Sequence, residues 1–110
     1  DTRWISFTDQ DGKGILVIAM PLLSWSSLFY SQEDLDRESR GTKHTYDLQK
    51  RDTIHVNLDY GQMGLGGDNS WGAWPHEQYR LAPVRHNYSF RLSPLRGDED
   101  LIDLSRMFFE

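Results

Sequence analysis

Alternating apolar and polar positions over residues 53–60 mark the clearest strand of the chain. Every second residue is apolar and would point to one face of an extended segment: Ile54, Val56, Leu58 and Tyr60. The residues between them are polar and would point to the other face: His55, Asn57 and Asp59. This pattern predicts a half-buried strand. Residues 88–92 alternate in the same way and predict a final core strand, which Pro94 and Gly97 are expected to interrupt.

The first thirty residues predict three more strands. Residues 4–8 are β-prone, residues 9–14 contain an Asp-Gly step followed by a second glycine, and residues 15–20 are continuously apolar. This order is typical of a β-hairpin. Pro21 is expected to end the second strand. Residues 22–30 then predict a third strand.

The rest of the chain predicts only short elements. Ser31 and Asp34 have the spacing of a capping box, which predicts a surface helix over about residues 32–39 that ends before Gly41. The acidic residues of this helix lack the histidine or turn pattern of a metal site, so a solvated helix start is the simpler interpretation. Residues 78–81 predict a brief strand, and the tail from Gly97 is expected to be a helix or a segment that packs on a partner surface.

A glycine-rich loop at residues 63–71 carries the main candidate chemistry. Its loop-forming residues are Met63, Gly64, Gly66 and Gly67, and its short polar residues are Asp68, Asn69 and Ser70. Trp71 ends the loop with a large aromatic side chain that a simple connection does not need. Two interpretations stay open from the residues alone. Trp71 either presents a flat apolar face to a sugar or similar ligand, or fills the edge of a core.

Composition narrows the class of protein. At 110 residues the chain has room for one domain with a modest core. A net charge of −5 without a basic cluster argues against a nucleic-acid partner, and no apolar run approaches the length of a membrane span. The absence of cysteine leaves the compartment open. The first residues have neither an initiator methionine nor the layout of a signal peptide, so we expect a chain cut from a longer one.

The residues do not indicate a self-sufficient enzyme. Seventeen acidic residues make chance carboxylate pairs common, so no glycosidase-type pair can be nominated. Ser70 lacks the context of a nucleophile elbow, and the glycine loop lacks the lysine of a phosphate-binding loop. The four histidines show no metal-ligand spacing. The residues alone therefore favour an all-β binding or accessory module over a free-standing enzyme.

The loop and its flanking segments resemble the C-terminal end of the β-galactosidases of glycoside hydrolase family 2. The most specific match is the string Met-Gly-Leu-Gly-Gly-Asp-Asn-Ser-Trp at residues 63–71. Flanking segments agree in order and spacing: residues 1–4, 31–35, 47–52, 57–60, 77–81 and 88–92. Gln62 and Asn69 depart from the family, where some members have histidine and many have a second aspartate, respectively.

The resemblance implies a fold and a place in a larger protein. Residues 1–95 would form the C-terminal part of an antiparallel β-sandwich, itself part of a larger galactose-mutarotase-like super-sandwich with one or two short helices. Residues 96–110 would be a tail outside the match. The catalytic TIM barrel, with the two glutamates of a retaining mechanism, would lie elsewhere in the polypeptide, so the isolated segment would be inactive.

The resemblance also implies a role for the loop. Trp71 would stack on the sugar of a β-galactoside, with Asp68, Asn69 and Ser70 beside it in the substrate pocket. No catalytic residue, metal ligand or cofactor is expected on this segment, whereas magnesium and sodium would bind other domains. The expected partners are the substrate and the remaining domains. A self-contained carbohydrate-binding module and a purely structural piece of sandwich, with Trp71 in its core, are the alternatives.

Overall fold

The computed structural model describes residues 1–36 and 44–107, which form a four-stranded antiparallel sheet with short helices. The strands are β1 (Thr2–Thr8), β2 (Lys13–Leu28), β3 (His55–Asp59) and β4 (Ser89–Arg96), and the α-helices are α1 (Gln32–Leu35) and α2 (Leu101–Arg106). Two single 3₁₀ turns span Thr45–Asp47 and Glu77–Tyr79. The predicted all-β antiparallel class with one or two short helices is therefore confirmed.

The long strand β2 organises the sheet because β1, β3 and β4 all pair with it. Contacts divide the chain into two units: residues 1–24 with the described residues from 59 onward, and residues 25–58. The first unit contains β1, β4, α2 and the glycine loop. The second contains the end of β2, α1 and most of β3.

The predicted β1–β2 hairpin is confirmed. Its turn is held by Asp9, whose Oδ1 accepts the backbone N–H groups of Asp11 and Lys13, both at 2.9 Å. Gly12 takes a φ of 78°, a left-handed conformation that glycine adopts without a Cβ penalty. Pairing then runs from Thr8 opposite Gly14 to Trp4 opposite Ile18.

Two prolines lie inside strands, contrary to prediction. β2 continues through Pro21 because the pairing with β4 ends at Met20 and the pairing with β1 shifts register between Ile18 and Leu23, so no ladder bond is required there. Pro94 lies within β4, where β2 is the partner strand and Ile15 the residue opposite. An edge strand tolerates a proline whose missing N–H is not needed for pairing.

A hydrophobic cluster of the first unit lies on one face of the sheet. Leu16, Ile18 and Leu95 are buried together, with Trp4 packed against them. Helix α2 covers this cluster through Leu101 and Leu104. Asp100 caps the helix by accepting the N–H groups of Ile102 and Asp103 at 2.9 and 3.1 Å. Residues of the tail therefore contribute to the core, and one of the two expectations for them, a helix, is what the structure shows.

The turn before α2 is organised by a carboxylate. Glu99 accepts the backbone N–H groups of Arg96 and Gly97 at distances of 2.8 to 3.0 Å. These hydrogen bonds favour the ionised form and lower the pKa of Glu99.

Three sequence expectations differ from the structure. The strand predicted at 53–60 is limited to His55–Asp59, and its residues 55–57 are exposed on both faces rather than half-buried. The strand predicted at 78–81 is replaced by the 3₁₀ turn Glu77–Tyr79, which Arg80 closes by donating its N–H to Glu77 O. Helix α1 has its predicted capping box but ends at Leu35, since Asp36 is extended; residues 37–41 of the predicted helix end lie outside the described residues.

A buried carboxylate organises the second unit. Asp34 Oδ2 accepts the N–H of Ser31 at 2.9 Å, and Arg51 binds both carboxylate oxygens through Nε and Nη2, the latter at 2.8 Å. The hydrogen bonds and charge of Asp34 raise the pKa of Arg51. Asp34, the acidic residue of the α1 capping box, therefore also joins the helix to the segment before β3.

Candidate functional site

The glycine-rich loop belongs to a long connection between β3 and β4. The two ends of this connection are brought together by Tyr60 and Tyr88, whose rings lie 6.1 Å apart between centroids. His86 also contacts Tyr60, with a centroid distance of 4.8 Å. The ends of the connection are therefore close together.

Gly67 allows the loop to pack on itself. A Cβ on Gly67 would lie 2.5 Å from the carbonyl oxygen of Ala73 and 2.6 Å from that of Trp74, so only glycine fits there. The N–H of Gly64 donates to the carbonyl of Tyr79 at 2.7 Å. By contrast, a Cβ on Gly66 would meet nothing within 4 Å. Gly67 thus defines a neck where the two sides of the loop touch, backbone to backbone.

The polar residues of the loop bond within the loop itself. Asn69 Oδ1 accepts the backbone N–H of Trp71 at 2.8 Å, which forms a local turn. Asp68 Oδ1 accepts a hydrogen bond from His76 Nε2 at 2.7 Å, and both side chains are exposed. Ser70 is exposed at the tip. The sequence did not single out His76, since the distance along the chain gives no sign of this contact.

Trp71 projects from this loop into solvent. Its exposed fraction is 92%, so no described residue of this chain buries Trp71 in a core. Gly72 follows with a φ of 92°, which turns the backbone away after the tryptophan. Leu65 is fully exposed on the same loop. Exposed apolar side chains grouped in this way are typical of a surface that receives a ligand or another domain.

A second tryptophan accompanies the first. Trp74 is 69% exposed, and the guanidinium carbon of Arg80 lies 5.6 Å from its ring centroid. Arg80 Nε also donates to the carbonyl of Pro75, which is buried. Residues 72–75 carry no sequence pattern that points to this contact. The arginine that orders them is supplied by the unpredicted 3₁₀ turn.

The described residues do not assemble a metal centre: within them no three histidine, aspartate or glutamate side chains converge. The histidines are dispersed, with His76 on Asp68, His86 on the carbonyl of Ala82 at 2.8 Å, and His44 stacked on Tyr46. No helix of the described part of the chain has the length and apolar character needed to cross a membrane.

Comparison with known proteins identifies the family to which this chain belongs. The family model described as β-galactosidase small chain matches residues 1–93, which include all four strands up to Ser93 and the whole loop. The chain belongs to the β-galactosidase small-chain family. The resemblance to β-galactosidases seen at residues 63–71 is confirmed. Helix α2 lies beyond the matched region of this small-chain segment.

Individual relatives agree. The chain is similar to a β-galactosidase of Priestia megaterium, with 36% identity over 96 residues that cover 86% of this chain and 9% of the relative. A β-galactosidase of Pseudoalteromonas haloplanktis is 35% identical over 79 residues, covering 72% of this chain and 8% of the relative. One of Streptococcus thermophilus is 30% identical over 96 residues, covering 86% and 9%. The small-chain segment therefore spans less than a tenth of the length of these relatives.

Proposed function

We propose that this chain is the part of a β-galactosidase that completes the sugar-binding pocket, with Trp71 as its stacking platform. The observation that carries the proposal is the exposure of Trp71 on a loop whose shape is fixed by Gly67 and Asn69. A flat aromatic face that is held outward suits the apolar C–H face of a galactosyl ring. Asp68, Asn69 and Ser70 lie beside it and would line the rim of the pocket.

The chemistry itself would take place on residues outside this chain. The intact protein would be a retaining glycoside hydrolase of family 2, whose two catalytic glutamates belong to a TIM barrel. Magnesium and sodium would bind to other domains. In this arrangement Trp71 holds the galactoside in place, and the isolated chain is inactive. Membership of the small-chain family and the small share of each relative that the chain spans support this division of labour.

Replacing Trp71 in the full-length enzyme tests the proposal. The variant W71A removes the stacking surface, so kcat/KM for a β-galactoside should fall by about one to two decades, corresponding to about 1–3 kcal/mol of lost contact. W71F keeps an aromatic face and should retain most of the activity. As a control, Y46A removes another exposed aromatic ring, in the second unit, and should leave kcat/KM unchanged. Parent-like kinetics of W71A would refute the assigned role.

A self-contained carbohydrate-binding module is the second candidate, because an exposed tryptophan would serve that function too. The two candidates differ in what the isolated chain does. Titration of galactosides against the tryptophan fluorescence of the isolated chain should show no saturable change if the pocket needs the remaining domains. Saturable binding abolished by W71A would instead establish a module.

A further inference from the structure

The hydrogen bond between Asp68 and His76 closes a ring around the loop tip. It joins residues on opposite sides of Trp71 through Asp68 Oδ1 and His76 Nε2, which are 2.7 Å apart. An ionised carboxylate only accepts, so His76 Nε2 is the donor. Residues 69–75 lie within the ring, and Trp71 lies near its middle.

One side of this ring is anchored independently of the bond. Pro75, next to His76, is buried and its carbonyl accepts from Arg80 Nε. The carbonyl of His76 accepts the N–H of Tyr79 at 2.8 Å, which begins the 3₁₀ turn. His76 therefore extends from a segment that two further bonds hold in place.

The other side carries the tryptophan. Asn69 fixes the backbone of Trp71 through its turn bond, and Asp68 directly precedes this turn. The bond from His76 to Asp68 thus attaches the Trp71 turn to the anchored segment. Holding a loop in its binding conformation before the ligand arrives reduces the ordering cost of binding.

We propose that His76 is a positioning residue for galactoside binding, acting through Asp68 on the orientation of Trp71. This inference rests on the proposed function of Trp71. It makes no claim on the chemical step, because the side chain of His76 is bonded to the loop and the glutamates that would act on substrate lie on other domains. Its effect should therefore fall on KM, with kcat little changed.

The test compares histidine variants of the full-length enzyme with a matched control. H76A should raise KM for a β-galactoside about two- to fivefold, the size expected for loss of an exposed charge-assisted pair, at unchanged kcat. H76Q places an amide N–H near the position of Nε2 and should restore most of the parent KM. The control H44A removes another exposed histidine, which lies in the second unit and stacks on Tyr46, and should leave KM unchanged.

A double-mutant cycle separates this inference from the function on which it rests. If His76 acts through Trp71, H76A should add no further rise in KM to that of W71A. Additive effects, a KM of H76A equal to that of H44A, or failure of H76Q to restore KM would each overturn the role of His76 while leaving that of Trp71 intact. An unchanged KM and kcat in W71A would overturn both.

Discussion

Gly66 and Gly67 are neighbours in the loop but differ in what they tolerate. A Cβ on Gly67 would overlap two carbonyl oxygens at the neck, whereas one on Gly66 would enter open space. G67A should therefore force the two sides of the loop apart, at a cost of about 1–3 kcal/mol, typical of overpacking. In the full-length enzyme we expect G67A to lower kcat/KM and to increase amide hydrogen exchange over residues 67–76.

The matched variant G66A controls for the loss of backbone freedom, since it adds the same methyl group one residue earlier. It should retain parent kinetics and exchange. Equal effects of the two substitutions would contradict the close packing of the neck.

The sequence predicted the position of the candidate loop but not the contacts that its side chains make. The string at 63–71 was sufficient to find the loop and to place Trp71 at its end. The chain alone left open whether Trp71 is buried, because a tryptophan after a turn suits either environment. The partners of Asp68 and Trp74 were not predictable either, since His76 and Arg80 reach them only through the folded path of the connection.

Helix α2, in the C-terminal tail, packs on the hydrophobic cluster of the first unit and so contributes to its stability. Leu104 packs on the cluster of Leu16, Ile18 and Leu95, while Ile102 on the same helix is half exposed. L104A should destabilise the helix and the underlying strands by about 1–2 kcal/mol, less than a fully buried leucine would cost. Hydrogen exchange of β2 amides in the full-length enzyme measures this change.

Ile102 supplies the matched control, because I102A removes a similar side chain from the same helix. It should change exchange by less than about 0.5 kcal/mol, as usual for an exposed position. Exchange of β2 that responds equally to both substitutions would argue against the packing of Leu104 on the core.

The strand boundaries predicted from a turn agree with the structure, whereas those predicted from a proline do not. Asp9 and Gly12 fix the hairpin locally, so the sequence contains all that the turn requires. Pro21 and Pro94 read as strand ends, yet each lies within a strand: Pro21 follows the last residue of β2 that pairs with β4, and Pro94 lies opposite Ile15 on an edge strand. Which side of a strand is paired depends on the whole sheet, which a local pattern does not contain.

Within the first unit, the sheet presents a second apolar face, on the side away from α2. The register places Phe90 opposite Ala19 and Leu92 opposite Val17, and both Phe90 and Leu92 are exposed. The sequence predicted a core strand here. That prediction requires a cover over Phe90 and Leu92, and we expect the cover to come from the remainder of the protein, since the chain spans only 9% of a relative such as that of Priestia megaterium.

Contact between Trp71 and the sugar can be seen directly in a structure of the full-length enzyme with a bound galactoside. We expect the indole ring of Trp71 in van der Waals contact, about 4 Å, with the C–H face of the galactosyl ring. We also expect the bond between Asp68 and His76 to be kept in the complex. A galactosyl ring bound in the active site with Trp71 turned away from it, or covered by another domain, would show that Trp71 is not the stacking platform.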